Sequence, residues 1–173
     1  GGWEEKAMKW WSVPAAIVLA MASAPAWAQW QYHEDLDLAE ARVEADGARL
    51  AVVCEYDDWD DEVYEDVRLA PSARGTKKDV EALKARSPRL TVRIDGWEWA
   101  RDAYAFHDSG EKRIYFWAGV NEEVYKRLAA ASAPIRATVT LSSPAEVLAD
   151  HSFSPKGSKA AMRKYQKECD DLW

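Results

Sequence analysis

Asp-Gly stands at residues 46–47 and again at 95–96, each time between runs in which apolar and polar residues alternate. That arrangement leaves few options other than antiparallel β-hairpins, because a two-residue turn needs left-handed backbone, which Asp tolerates and Gly adopts freely. Leu50, Val52 and Cys54 share one face after the first turn, and Leu90, Val92 and Ile94 share one face before the second. Beyond it come Trp97-Glu98-Trp99 and Tyr104-Ala105-Phe106, and Asp108-Ser109-Gly110 turns the chain into Arg113-Ile114-Tyr115-Phe116-Trp117. The economical expectation is an antiparallel meander through this region. Shorter strands are expected near Trp30–Tyr32, over 36–45 and 63–69, over Ile135–Leu141, and where Val147, Ala149, His151 and Phe153 alternate. Helices are expected at Asp79–Ala85, ahead of Pro88, from an Asn121 cap to Pro134, and over Gly157–Cys169. With no internal repeat, the sum is a mainly β (α+β) chain: an antiparallel β-sandwich or rolled sheet with a C-terminal helix.

The start of the chain reads differently. Met8-Lys9 precedes an apolar run from Trp10 to Ala22, and Ala26-Trp27-Ala28 has the form of a cleavage site. The run is shorter than the ~20 residues a spanning helix needs and contains Pro14. Residues 8–28 are therefore expected to be a signal peptide, residues 1–7 an upstream extension with Met8 as the initiator, and residues 29–173 a single mature β-rich domain. That places the protein in the periplasm or among secreted proteins, with no membrane span once the leader is cut.

Export gives the cysteines meaning. Cys54 and Cys169 both fall in the mature part, an even count, and only one intramolecular pairing exists for two. No Cys-x-x-Cys occurs, and His33, His107 and His151 are too scattered for a ligand set, so no metal, zinc site or other cofactor is expected. The 23 Lys+Arg against 30 Asp+Glu give a net charge of −7, which argues against nucleic acid as a partner.

At the C-terminus, His151-Ser152-Phe153-Ser154-Pro155-Lys156-Gly157-Ser158-Lys159-Ala160-Ala161-Met162, continuing to Cys169, resembles the tail of several small exported bacterial proteins. Among them is VasI, the accessory family of type VI secretion, which is similar in its late strand, its Phe-x-x-x-Gly-Ser-x-x-Ala turn into a helix, and its mostly β structure. Leu-Thr-Val-Arg-Ile-Asp-Gly at 90–96 extends the resemblance to about half the mature chain. It implies a periplasmic, non-catalytic domain. The acidic run after Cys54 departs from that pattern.

That run holds eight acids in the twelve residues from Glu55 to Asp66. Asp58, Asp60 and Glu62 alternate as calcium ligands do, yet Val63 replaces the glycine of an EF-hand loop and Leu69 the bidentate acid. A solvated loop is the commoner fate of such a block. Lys156, Lys159, Arg163 and Lys167 recur at helical spacing near Cys169. A Cys54–Cys169 bridge would bring the acidic and basic blocks face to face, and their attraction would then orient the last helix.

Aromatic residues supply the other candidate site. Trp97 and Trp99 project from one face of a strand and, with Trp59, form a possible binding surface; core packing is the competing role. Histidines beside hydroxyls occur at His107-Asp108-Ser109 and His151-Ser152, but neighbours on a strand point to opposite faces and cannot relay a proton. No catalytic residue is assigned. The expected function is a non-catalytic binding or accessory protein for an unknown protein or envelope component, the alternative being a small cell-envelope hydrolase acting on glycan or peptide.

Overall fold

In the computed structural model, both Asp-Gly pairs close two-residue turns, with φ of 50° and 81° at Asp46 and Gly47 and 46° and 81° at Asp95 and Gly96. The structure describes residues 29–173; the proposed leader and upstream extension lie outside the described residues. The first turn joins β2 (Leu38–Ala45) to β3 (Ala48–Asp57), and the second joins β5 (Arg89–Ile94) to β6 (Trp97–Asp102).

The chain forms two antiparallel sheets and three helices. The larger sheet has the order β1-β2-β3-β4-β8-β7, adding β1 (Gln31–Asp35), β4 (Glu62–Ala70), β7 (Tyr104–Asp108) and β8 (Arg113–Gly119). The smaller has the order β10-β9-β5-β6, with β9 (Ile135–Leu141) and β10 (Glu146–Phe153). The helices are α1 (Lys77–Lys84), α2 (Glu122–Ala129) and α3 (Ser158–Leu172). The C-terminal helix and the mainly β character agree with the sequence. Helix α1 begins two residues earlier than its apolar spacing suggests, because Thr76 and Asp79 form a reciprocal capping box.

One cluster of buried side chains joins the sheets and helices. Leu50, Val52, Leu69 and Phe116 contribute from the larger sheet, and Leu90, Ile94, Ile135 and Phe153 from the smaller. Helix α3 packs on β1, β2 and β3 and against α2. Its buried residues are Ser158, Ala161, Met162, Tyr165 and Cys169, a stripe at helical spacing.

The expected meander does not form. Strands β6 and β7 lie in different sheets, and the chain crosses between them at the single residue Ala103, whose N–H bonds Pro88 O. Odd-numbered residues point inward on both sides of the crossing: Trp99 on β6 and Ala105 on β7 are both core residues. An unbroken period of two therefore conceals a change of sheet.

Asp95 has a second task beyond its turn. Its carboxylate accepts the N–H groups of Ser132 (2.9 Å) and Ala133 (3.0 Å), tying the segment after α2 to the β5–β6 hairpin. The Ser132 bond leads in holding its pKa below the ordinary aspartate value. A carboxylate depressed in the folded state stabilises above its unfolded pKa, and that support is lost as pH falls through the folded value. Amide exchange at Ser132 and Ala133 is therefore expected to speed up, relative to neighbouring amides, at pH below the usual carboxylate range. In Asp95→Asn the two amides should exchange with no such acid-dependent step.

Candidate functional site

Each strand of the larger sheet puts alternate residues on its outer face, away from the core. On β8 the inward set includes Ile114, Phe116 and Ala118, which leaves Arg113, Tyr115 and Trp117 outward; on β7 the outward residues are Tyr104 and Phe106. The antiparallel register sets Tyr104 opposite Trp117 and Phe106 opposite Tyr115. Both pairs stack, with ring centroids 4.8 Å apart at 29° and 5.2 Å apart at 13°. Cross-strand aromatic pairs of this kind stabilise a sheet and form a stiff surface. Tyr104 remains 64% exposed.

Arginines flank the rings. The Arg68 guanidinium carbon lies 5.8 Å from the Phe106 centroid, and that of Arg113 lies 5.7 Å from the Tyr115 centroid. Asp66 fixes Arg68 through bonds of 2.6 Å at Nε and 3.1 Å at Nη2, and Glu55 adds a bond of 3.3 Å. Burial pushes the Asp66 carboxyl up, and Arg68 pulls against it. Arg113 donates to Gly47 O at 2.7 Å. Tyr115 donates to Glu111 at 2.6 Å, while Arg49 bonds Glu111 at 2.9 Å and Glu44 at 2.7 Å. Burial, followed by Glu111, raises the Tyr115 pKa to about 12. Burial also pushes Glu111 up, but its bonds from Tyr115 and Arg49 win and hold it below the ordinary value. The phenol is therefore neutral and the carboxylate charged at neutral pH, so this network holds its geometry. Tyr115 and Arg113 are buried, Phe106 and Trp117 are half-buried and Tyr104 is exposed, so the π surface open for stacking is that of Tyr104, Trp117 and Phe106, backed by the buried pair and arranged on a sheet.

The tryptophans singled out in the sequence are not brought together. Trp99 is 3% exposed and belongs to the core, Trp97 packs against it beneath Arg127, and Trp59 stands 96% exposed in the β3–β4 turn. Trp97 and Trp99 lie opposite Ile94 and Val92 on the inner face of their sheet, where Trp99 is buried and Trp97 half-buried, so they chiefly fill volume. The residues that do form a surface, Tyr104, Phe106 and Trp117, with Tyr115 buried beneath Phe106, have a readable signal: they alternate on either side of the Asp108–Gly110 turn.

The calcium candidates are likewise not brought together. Tyr64 donates to Asp60 at 2.8 Å, and Tyr56 donates to the neighbouring Asp61. Among the described residues the carboxylates of Asp58, Asp60 and Glu62 do not gather within 4.8 Å; the group that does is Cys54, Glu65 and Cys169. There the two sulfurs are bonded to each other at 2.01 Å, so they present no thiolates to a metal. Glu65 is the inward-facing acid of the run and sits opposite Cys54 in the sheet. It accepts hydrogen bonds from Tyr125 and Tyr165, both 3.1 Å, and lies 3.2 Å from the unprotonated Cys169 sulfur. Burial, with Glu65 next, raises the pKa of both phenols.

The acidic run and the basic stripe do not pair. Glu55 and Asp66 bind Arg68, Glu65 binds tyrosines, and Lys156, Lys159, Arg163 and Lys167 enter no ion pair among the described residues. The disulfide and the Tyr165–Glu65 contact seat α3 through its buried side, whereas the stripe lies on its exposed side. The histidine candidates are also apart from any relay: His151 tilts against Phe153, and the Asp108 carboxylate accepts the Glu111 N–H at 2.9 Å.

No family model matches the chain, and no curated protein matches it. Among solved structures, the crystal structure of invasion associated protein B from Bartonella henselae is similar, with a TM-score of 0.52 and 11% identity over 83% of this chain and 96% of that one. At that identity the likeness concerns the fold alone.

Proposed function

We propose that this protein works outside the cytoplasm as a non-catalytic binding module whose aromatic face meets another protein. The observation that carries the reading is the double stack of Tyr104 on Trp117 and Phe106 on Tyr115, flanked by Arg68 and Arg113. Aromatic residues and arginine are the types that dominate binding energy at protein interfaces, and stacking and ion pairing pre-order them here. A flat face suits a protein surface better than a small molecule, which needs concavity. The disulfide and the leader-like residues 8–28 support an oxidising, extracytoplasmic setting. No helix among the described residues is long and apolar enough to cross a membrane. The resemblance of the tail to the VasI family supports an accessory role.

The test is affinity capture from periplasmic extract with the mature protein, followed by measured binding of the captured partner. A Tyr104→Ala/Trp117→Ala variant is expected to bind about thirtyfold more weakly or worse, while keeping its circular dichroism spectrum. Wild-type affinity in that variant would overturn the assignment. Co-sedimentation with purified sacculi is the companion measurement, and binding there that depends on Trp117 would make the ligand a glycan instead.

A further inference from the structure

A concave site lies on the other side of the larger sheet from the aromatic face, between that sheet, α1 and β10. Its volume is about 300 Å³, and Pro71, Leu83, Ile114, Phe116 and Leu148 wall it. Ile114 and Phe116 are inward residues of β8, so the cavity reaches the core of the molecule. Two departures from regular structure shape it. Strand β10 shifts register between Val147 and Ala149, which leaves Leu148 without a partner on β9. A bulge of this kind re-aims a side chain, and Leu148 lines the cavity. Gly75 passes directly against Ile114, where a side chain would bring its Cβ within 2.9 Å of Ile114 Cγ1. Leu148 is 37% exposed and its neighbour Val147 62%. Apolar side chains gathered around a concavity, with a few polar groups among them, are the ordinary lining of a small-molecule site.

The charges beside the cavity indicate the other end of the ligand. Arg74 lines both this cavity and an adjoining one of about 540 Å³, whose lining includes Lys112. The carboxylates there are already engaged. Asp79 accepts the N–H and the hydroxyl of Thr76 at 2.7 and 2.9 Å, and Glu111 is bound by Tyr115 and Arg49. Arg74 donates from Nη1 to Glu111 O at 2.8 Å, and neither it nor Lys112 enters an ion pair among the described residues. We propose that the cavity binds a fatty acid anion. Its chain would lie against Leu83, Ile114, Phe116 and Leu148 and its carboxylate on Arg74, with Lys112 balancing charge from the adjoining space. Burial of methylenes draws the chain inward, and an arginine–carboxylate bond fixes the head. The Glu111 carbonyl holds the guanidinium beforehand, which lowers the cost of ordering it. A volume at the lower end for ligand sites limits the chain to medium length.

Octanoate below its micelle-forming concentration is the probe, and octanol and octylamine keep the chain while changing the head. In carbon-13 spectra of the mature, oxidised protein, octanoate is expected to shift the Leu83, Ile114 and Leu148 methyl groups saturably. Arg74→Gln should bind octanoate at least about tenfold more weakly and bind octanol as wild type does. Ala82 lines the cavity at an exposed position of α1, so Ala82→Trp should fill the space and abolish binding of both while leaving the circular dichroism spectrum intact. Lys126→Ala on α2, away from the cavity, should bind as wild type. The proposal is overturned if those methyl groups show no saturable shift, if Arg74→Gln binds octanoate as tightly as wild type, or if octanol or octylamine binds wild type as tightly as octanoate does.

Discussion

Cys54→Ala/Cys169→Ala protein is expected to be about 4–5 kcal/mol less stable than the oxidised chain in urea unfolding, on the loop-entropy account of a bridge spanning 115 positions. Domains of this size have roughly 5–15 kcal/mol in total, so the variant should lie near the limit of folding at physiological temperature. Both sulfurs are buried, so the loss adds to packing at the seam between β3 and α3. Thiol titration of exported protein in denaturant should find no free thiol, and two free thiols would remove the basis for the stability difference.

The second large effect is expected at Tyr165. Its ring is fully buried between α3 and the larger sheet, tilted on Tyr125 at 5.8 Å, and its hydroxyl meets Glu65. Tyr165→Ala should cost about 3–5 kcal/mol, the range for truncating a buried aromatic, and lower the melting temperature by about 10 °C or more. Tyr165→Phe separates the two contributions. It keeps the packing and strips one donor from an enclosed carboxylate, for about 1–3 kcal/mol. Equal losses in the two variants would mean that the hydroxyl rather than the ring dominates.

The parts of this fold legible in the sequence are those set by local chemistry. Asp46-Gly47 and Asp95-Gly96 demanded left-handed turns, and Met162, Tyr165 and Cys169 marked the buried stripe of α3. What was hidden depends on partners far away in the chain. Alternation shows that Trp97 and Trp99 share a face but not which face is covered, and the covering comes from the opposite sheet. Lys159 and Arg163 looked like partners for the acidic run because a bridge brings the segments near one another; orientation, which the bridge and Tyr165 set, turns them away. The aromatic face could have been found by folding residues 104–117 about the Asp108–Gly110 turn, since its ring pairs sit at matched distances from it.

The bridge also decides how the molecule carries load. Cys169 sits four residues from the last residue described, and Cys54 lies in the third strand, so tension applied between the two ends passes across the sulfur–sulfur bond and skips every residue from 55 through 168. Only β1, β2 and the first part of β3 can be drawn out, and they peel from the edge of the sheet until the slack ends at Cys54. Both the aromatic face formed by β7 and β8 and the cavity between α1, β8 and β10 lie inside the shielded loop. Tension between the two described ends can thus strip β1 and β2, on which α3 packs, but cannot extend β7 and β8 directly.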